Sequence, residues 1–301
     1  MTTNNKKRIV VVGNPAKDQT RRLGSELLGW LAGRARVVAH NIDADLDLAH
    51  LPDADFVLVF GGDGTILSTV RALGENQLPV IGVNIGKLGF LAEFSVDLLK
   101  RHFDRITTDP DCTSRRTMLA CRVVSTDSPE FNSIAVNELA VIAGPPFRML
   151  EVSVSVGDEH LALCAGDGLI VATPTGSTAY NLSAGGPILA ATLDAAVITP
   201  LAAHSLAFRP IVVNLDKPIV LRWRSNRRTA KVDNQTESDD NQVVVAIDGQ
   251  ENTPLGSRDQ VILTPARARF HLVHNPEQSQ WSLLNTKLHW GAMPNYQDTD
   301  R

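Results

Sequence analysis

Two short stretches carry the residue types that could do chemistry. One is Phe60-Gly61-Gly62-Asp63-Gly64-Thr65; the other is Gly166-Asp167-Gly168, running on to Thr173-Pro174-Thr175-Gly176-Ser177-Thr178-Ala179-Tyr180. Glycines around one carboxylate let backbone N–H groups approach phosphate oxygens with no Cβ in the way. The Asp63 carboxylate cannot itself bind phosphate, because like charges repel. It can hold a cation or accept a proton from an attacking hydroxyl, and phosphoryl transfer needs in-line positioning, charge neutralisation and often a base. The plainer reading is an aspartate that stabilises a Gly-rich turn. Thr175, Ser177, Thr178 and Tyr180 could each bond a ribose, an amide or a phosphate, or serve as caps of a helix expected to begin near Ser177. One stretch suits phosphate and the other a polar ligand with several groups; a phosphoryl-transfer enzyme needs both.

Asn137-Glu138 interrupts an apolar run from Ile134 to Ile142. Adjacent strand residues face opposite ways, so one of the pair points inward unless a strand end or bulge brings both to a cleft. A buried carboxylate needs partners, such as a ligand hydroxyl; an edge strand with a solvated Glu138 is the favoured alternative. Asp167, between two glycines, repeats the logic of Asp63, with a tight turn as its plainer reading. Asp248-Gly249 reads as a hairpin turn, with Gln250 beside it. His204 reads as structural, while Asn84 and Lys87 are placed to line a cleft after a strand.

The elements that must position these groups change character along the chain. Arg8–Val12, Val37–Ala39, Phe56–Phe60 and Pro79–Asn84 read as strands. Between them, helical spacing appears at Leu23, Leu27, Trp30 and Leu31, at Ile66, Val70 and Leu73, and at Val96, Leu99 and Phe103. Strands apolar throughout and separated by helices imply a parallel, doubly wound α/β sheet covered on both faces, with Asp63 at a strand's C-terminal end. After about residue 110, closely spaced strand candidates follow: 118–124, 135–142, 150–156, 160–163, 169–172, 211–213, 218–223, 242–247, 260–263 and 270–273. This half reads as antiparallel all-β. Residues 225–241 read as an exposed hairpin loop and 296–301 as a frayed tail.

The chain has 301 residues, which suggests one large domain or two modest ones, and 43% of them are hydrophobic, ample for a core. A net charge of −4 argues against bulk electrostatic capture of nucleic acid or an anionic membrane. Three scattered cysteines make neither a disulfide framework nor a zinc site and fit a reducing compartment. The N-terminus lacks a signal-peptide pattern, and the least polar stretch, 184–203, is broken by Pro187, Asp194 and Pro200, so it reads as core. The expectation is a soluble cytoplasmic protein.

Taken together, the segments resemble the ATP-dependent NAD kinase family. The glycine loop alone is shared with lipid and sphingoid-base kinases and some phosphofructokinases. The specific match is the ordered set: that loop, Asn84-Ile85-Gly86-Lys87-Leu88-Gly89-Phe90-Leu91, Asn137-Glu138, Gly166-Asp167-Gly168 with Thr173 to Tyr180, Ser183-Ala184-Gly185-Gly186-Pro187, and His204-Ser205-Leu206 with Arg209-Pro210. The resemblance implies an N-terminal α/β domain (1–105, with the tail 280–301 returning to it) and a C-terminal β-sandwich-like, NAD-binding domain (106–279). It implies transfer of the γ-phosphoryl of MgATP to the 2′-hydroxyl of the adenosine ribose of NAD, giving NADP. Asp63 would be the catalytic proton acceptor, with Gly61, Gly62, Gly64 and Thr65 forming the phosphate loop. Contacts to NAD would come from Asp63, Gly64, Asn137, Glu138, Asp167 and the stretch Thr178, Ala179, Tyr180, Asn181, Leu182 and Ser183, with Arg148 and Gln250 aligned less securely. The cofactor would be Mg²⁺, and the assembly a homodimer or homotetramer with NAD sites near subunit contacts. Ala165 stands where some bacterial members carry a basic residue associated with preference for NAD over NADH, which leaves that preference open. Inorganic polyphosphate as donor is open too. The competing functions are a lipid or sphingoid-type kinase sharing the loop, and a non-catalytic NADP-binding sensor.

Overall fold

The computed structural model describes residues 6–14, 18–42, 46–86, 89–125, 129–145, 147–224 and 243–290. Lys87, the loop 225–241 and the tail 296–301, all given roles above, lie outside the described residues. The first hundred residues fold as β1 (Arg8–Gly13), α1 (Asp18–Ala32), β2 (Arg36–His40), β3 (Phe56–Phe60), α2 (Asp63–Leu73), β4 (Val80–Val83) and α3 (Val96–Thr108). Then come β5 (Thr113–Arg116), β6 (Leu119–Val124), β7 (Phe131–Ala135), β8 (Glu138–Ala143), β9 (Leu150–Val156), β10 (Glu159–Gly166) and β11 (Gly168–Ala172). A single turn α4 (Tyr180–Ser183) precedes β12 (Ala195–Leu201), β13 (Ile211–Asn214), β14 (Ile219–Arg224), β15 (Val243–Ile247), β16 (Glu251–Leu255), β17 (Gln260–Pro265), β18 (Phe270–Val273) and α5 (Gln280–Leu288).

The first sheet has the order β2-β1-β3-β4-β18-β5, parallel except at the β18–β5 edge. Its central strands β3 and β4 are apolar throughout because both faces are covered. Ile9 and Val11 of β1 pack with Leu27 and Leu31 of α1 and with Leu99 and Phe103 of α3. Val10 and Val12 pack with Ile66 and Val70 of α2 on the opposite face. The remaining strands form two antiparallel sheets, β10-β9-β14-β17-β6-β7 and β13-β12-β11-β8-β15-β16. One core lies between them, drawing Val152, Val154, Leu221 and Val261 from one sheet and Leu139, Val141, Val171 and Val245 from the other. The architecture is therefore α/β plus a β-sandwich.

Four local expectations are corrected. The run 135–142, read as one strand, is two: β7 ends at Ala135, β8 begins at Glu138, and they belong to different sheets. Glu138 is accordingly not on an edge strand, because β8 lies between β11 and β15. The first sheet also takes in 113–116 and 270–273, chain assigned by sequence to the second domain. Leu272 pairs with Val80, 192 positions away (272 − 80), and local apolar patterning cannot specify so distant a partner. The helix expected near Ser177 is a 3-10 turn, Gly176–Thr178, followed by the single turn α4.

Gly168 is required by close approach. A Cβ there would stand 2.3 Å from the Val141 carbonyl oxygen on the neighbouring strand. Gly168→Ala is expected to lower stability by about 1–3 kcal/mol, the usual range for overpacking, measured as a shift of the urea midpoint at unchanged m-value.

Candidate active site

The Asp63 loop leaves β3 and enters α2 with Gly62 as N-cap and Asp63 as the first helical residue. The carboxylate crosses to the loop beyond β4. Its Oδ2 accepts the backbone N–H of Phe90 at 2.9 Å; its Oδ1 accepts those of Leu91 at 3.1 Å and Ala92 at 3.0 Å. An ionised carboxylate offers about four acceptor positions. Three are taken, and the fourth lies on Oδ2 of this half-buried side chain. Gly89 makes the approach possible, since a Cβ there would fall 1.8 Å from Asp63 Oδ1.

The opposite wall comes from the sandwich. At the β15–β16 hairpin, Asp248 and Gly249 both have positive φ, 50° and 64°, as a type I′ turn requires. The turn carries more than the chain reversal. Asp248 Oδ1 accepts the N–H groups of Asn137 at 2.8 Å and Glu138 at 3.1 Å, and Oδ2 accepts that of Val136 at 3.1 Å. Arg71, on α2 of the first unit, donates from Nη2 to Asp248 Oδ2 at 3.0 Å and from Nη1 to Gln250 Oε1 at 3.0 Å. Gln250 Nε2 donates to the Gly64 carbonyl at 2.7 Å. These bonds hold the catalytic-type loop of one unit against the Asn137-Glu138 junction of the other. Sequence reasoning missed Arg71, whose position on the helix carries no distinguishing signal.

Glu138 is 7% exposed, and its Oε2 is buried with no partner. Burial, reinforced by the nearby Asp248 charge, pushes its carboxyl up to about 7, while the Tyr180 backbone N–H pulls the other way. Thr173 closes the junction: its Oγ1 donates to the Val136 carbonyl at 2.6 Å and its N–H to the Asn137 carbonyl at 2.8 Å. The hydroxyls are not all available to a ligand. Ser177 Oγ donates to Pro174 and accepts from Leu189 N, whereas Thr175 Oγ1 is buried without a partner.

Asp63, Gly64, Asn137, Glu138, Thr178, Ala179, Tyr180 and Gln250 are thus drawn to one region. Asn181 lies in the same stretch. It is fully buried, and its amide is spent on Ser177, Pro187 and Thr199. Leu182 is half-buried and Ser183 exposed in the same turn. Gln250 spends its amide on Gly64 and Arg71 and so acts on the loop. Asp167 and Arg148 lie elsewhere. Gly168 pairs with Ile142 and Ala172 with Glu138, so Asp167 sits just beyond the far end of β11, roughly 16 Å along the chain from Ala172 at ~3.3 Å per residue. Arg148, six positions beyond Ile142, follows the same end of β8; both it and Asp167 are exposed. His204 reaches this end too, its exposed residue donating a backbone N–H to Ala165. Asn84 Oδ1 accepts from Gly86 N at 2.6 Å beside the first loop.

Comparison with known proteins decides the family. Residues 37–110 match the ATP-NAD kinase N-terminal domain and residues 136–275 the ATP-NAD kinase C-terminal domain. The chain belongs to the NAD kinase family. It is 36% identical over 285 residues to an NAD kinase of Rhodopirellula baltica, covering 95% of this chain and 87% of that one. It is 33% identical over 290 residues to an NAD kinase of Heliobacterium modesticaldum, covering 93% and 98%. The fold matches a yeast NADH kinase solved with NADH (TM-score 0.79, 24% identity, 97% of this chain and 89% of that one). It also matches an Archaeoglobus fulgidus NAD kinase solved with ATP (TM-score 0.72, 24% identity, 94% and 98%). Members of the family phosphorylate NAD to NADP. Among the described residues, no helix is long and apolar enough to cross a membrane.

Two outcomes follow from this geometry. Asp248→Asn removes the charge opposite a guanidinium whose side chain is 10% exposed. It should cost about 3–5 kcal/mol, as breaking a buried pair does, measured by urea unfolding, with a parallel fall in NADP formation. Glu138 has an ordinary carboxyl value of 4.5 and a folded value of about 7. Between those values the folded protein holds a proton that the unfolded chain lacks, so stability falls as pH rises through that window and then levels off. Glu138→Gln should remove its share of that slope in Tm against pH; buried Glu93, also near 7, supplies another share.

Proposed function

We propose that this chain transfers the γ-phosphoryl group of ATP to the 2′-hydroxyl of the adenosine ribose of NAD, with Asp63 orienting that hydroxyl and accepting its proton. The observation that carries the reading is the open acceptor position on Oδ2, on a carboxylate that three backbone N–H groups fix in place. A ribose hydroxyl is far too weak an acid to ionise at neutral pH. An aspartate is a weak base, so late proton acceptance and alignment suit it better than early abstraction. Alignment and neutralisation of phosphoryl charge supply the rest. The first-turn N–H groups of α2, with Gly61, Gly62, Gly64 and Thr65 around them, favour an anion there. Asn137, Glu138, Thr178, Ala179 and Tyr180 bond the dinucleotide on the facing wall.

Magnesium ions are held largely by substrate phosphates with one or two protein carboxylates. The residues present fit that arrangement: Glu138 Oε2 is a buried oxygen with no partner. The ion, when bound, supplies charge neutralisation on the transferring group.

Asp167 and Arg148 are exposed and lie at the end of β11 and β8 opposite Glu138, which supports a homo-oligomer in which they reach the dinucleotide of a neighbouring copy. Apolar side chains are exposed in the same part of the sandwich: Leu161, Leu163, Ile211, Val212 and Leu206, the last 92% exposed. Such a patch on a sandwich end suits a subunit contact.

Asp63→Asn should fold normally yet lose at least ~10²-fold in turnover, the contribution of general-base help. The assay is NADP end point with NAD and MgATP, read by an NADP-specific dehydrogenase; near-normal turnover would remove Asp63 from this role. Repeats with polyphosphate and with NADH define donor and acceptor range. For the assembly, Asp63→Asn and Asp167→Ala should each be inactive alone, and their co-expressed mixture should regain activity. A mixture no better than the sum of its parts would place Asp167 outside the neighbour's site.

A further inference from the structure

The last helix, α5, belongs to the α/β unit: it follows β18, which pairs with β4 of the first sheet. Its start is fixed locally. Ser279 caps it in a reciprocal box with Ser282. In the preceding turn the Asn275 N–H donates at 2.9 Å to Oε2 of Glu93, the neighbour of Ala92 in the Asp63 cradle. In its last turn the Lys287 ammonium stands 5.8 Å over the ring of Phe90, whose N–H holds Asp63.

Gln280, the first residue of α5, crosses to the sandwich. Its Oε1 accepts the Ala191 N–H at 3.0 Å, and its Nε2 donates to the Leu189 carbonyl at 2.9 Å. Both partners lie in the segment between α4 and β12. One planar amide supplies a donor and an acceptor there, as a neighbouring strand would. Leu189 carries the connection inward: its N–H donates to Ser177 Oγ at 3.0 Å, and that hydroxyl donates to the Pro174 carbonyl at 2.6 Å. Ser177 is fully buried. The turn it holds is seated on Asn137, where a Cβ on Gly176 would fall 2.0 Å from the Asn137 carbonyl oxygen. The far end of the segment is held as well. Asp194 accepts from Thr117 Oγ1 at 2.6 Å and from Arg269 Nη2 at 3.0 Å, residues in the two crossings between the first sheet and the sandwich. None of these bonds shares a residue with Arg71, Asp248 or Gln250.

We infer that Gln280 is a positioning residue for NAD: by holding Leu189 and Ala191 it fixes Ser177, and through it Thr178, Ala179 and Tyr180, against the Asp63 loop. This rests on the kinase reading above. Leucine at 280 would fill the same volume and make neither bond, so the segment and the turn behind it would lose their register with α5.

The test is steady-state kinetics of NADP formation by Gln280→Leu, Ser177→Ala and the double variant. Gln280→Leu should raise KM for NAD about tenfold and leave KM for ATP within about twofold, at an unchanged far-UV circular dichroism spectrum. Ser177→Ala should raise KM for NAD too. The double variant should be no worse than the poorer single one, because both substitutions break one chain of bonds. An effect of the double variant equal to the product of the single effects overturns the proposal. So does an unchanged KM for NAD in Gln280→Leu, or a KM for ATP raised as much, which direct contact with the donor would cause. If Gln280→Leu does not fold, Gln280→Met, closer in length, decides. NADP formation by the unaltered protein measures the kinase reading by itself, and that reading stands whichever way the variants fall.

Discussion

A single buried carboxylate joins the two halves of this molecule. Asp248 has no exposed side-chain surface, yet it accepts three consecutive backbone N–H groups and a guanidinium. A bare charge in such a place would be unstable; four donors make it a fixed point. Three of the donors belong to the junction between β7 and β8, where the chain passes from one sheet of the sandwich to the other. The fourth, Arg71, belongs to the helix that Asp63 begins. Whatever distance separates the Asp63 loop from Asn137 and Glu138 is therefore set by Asp248, Arg71 and Gln250 together.

The local geometry around this hub answers the needs of phosphoryl transfer. Little covalent work falls to the protein, so position and charge dominate. Asp63 is immobilised by backbone N–H groups of residues 90–92, which cannot rotate away as side-chain donors can. Glu138 is held at a strand start by its own N–H to Asp248, with its carboxylate left open on one oxygen. Both carboxylates keep one unsatisfied position, and both lie where the α/β unit meets the sandwich. Polar groups left unpaired inside an otherwise well-bonded region are what a missing ligand would complete.

The fold was legible where patterns are local. The two-faced strands of the first sheet and the alternation in β9 appear directly in the sequence, as does the Asp248-Gly249 turn. What escaped was pairing at a distance. The Asp63 cradle joins residues 27 to 29 positions apart, and Leu272 finds Val80 from the other end of the chain. The break at residues 136–137 was hidden because apolar strand residues stand on both sides of it, in two different sheets. Asp248 read as a turn residue, and its turn geometry agrees; its second task depends on atoms that local sequence cannot place. Motif resemblance named Asp63, Asn137, Glu138 and Tyr180 together, and the fold brings them near one another; it could not see that the Asn181 amide is spent internally or that Asp167 lies at the other end of its strand.

The central claim is that the open oxygen of Asp63 receives the adenosine 2′-hydroxyl. A crystal structure of the protein with NAD tests it most directly. The account predicts that hydroxyl within ~2.6–3.2 Å of Asp63 Oδ2, the reach of a general base, with the same dinucleotide touching Asn137 and Glu138. A bound dinucleotide whose adenosine 2′-hydroxyl lies beyond hydrogen-bond reach of Asp63 and against a different carboxylate would contradict it.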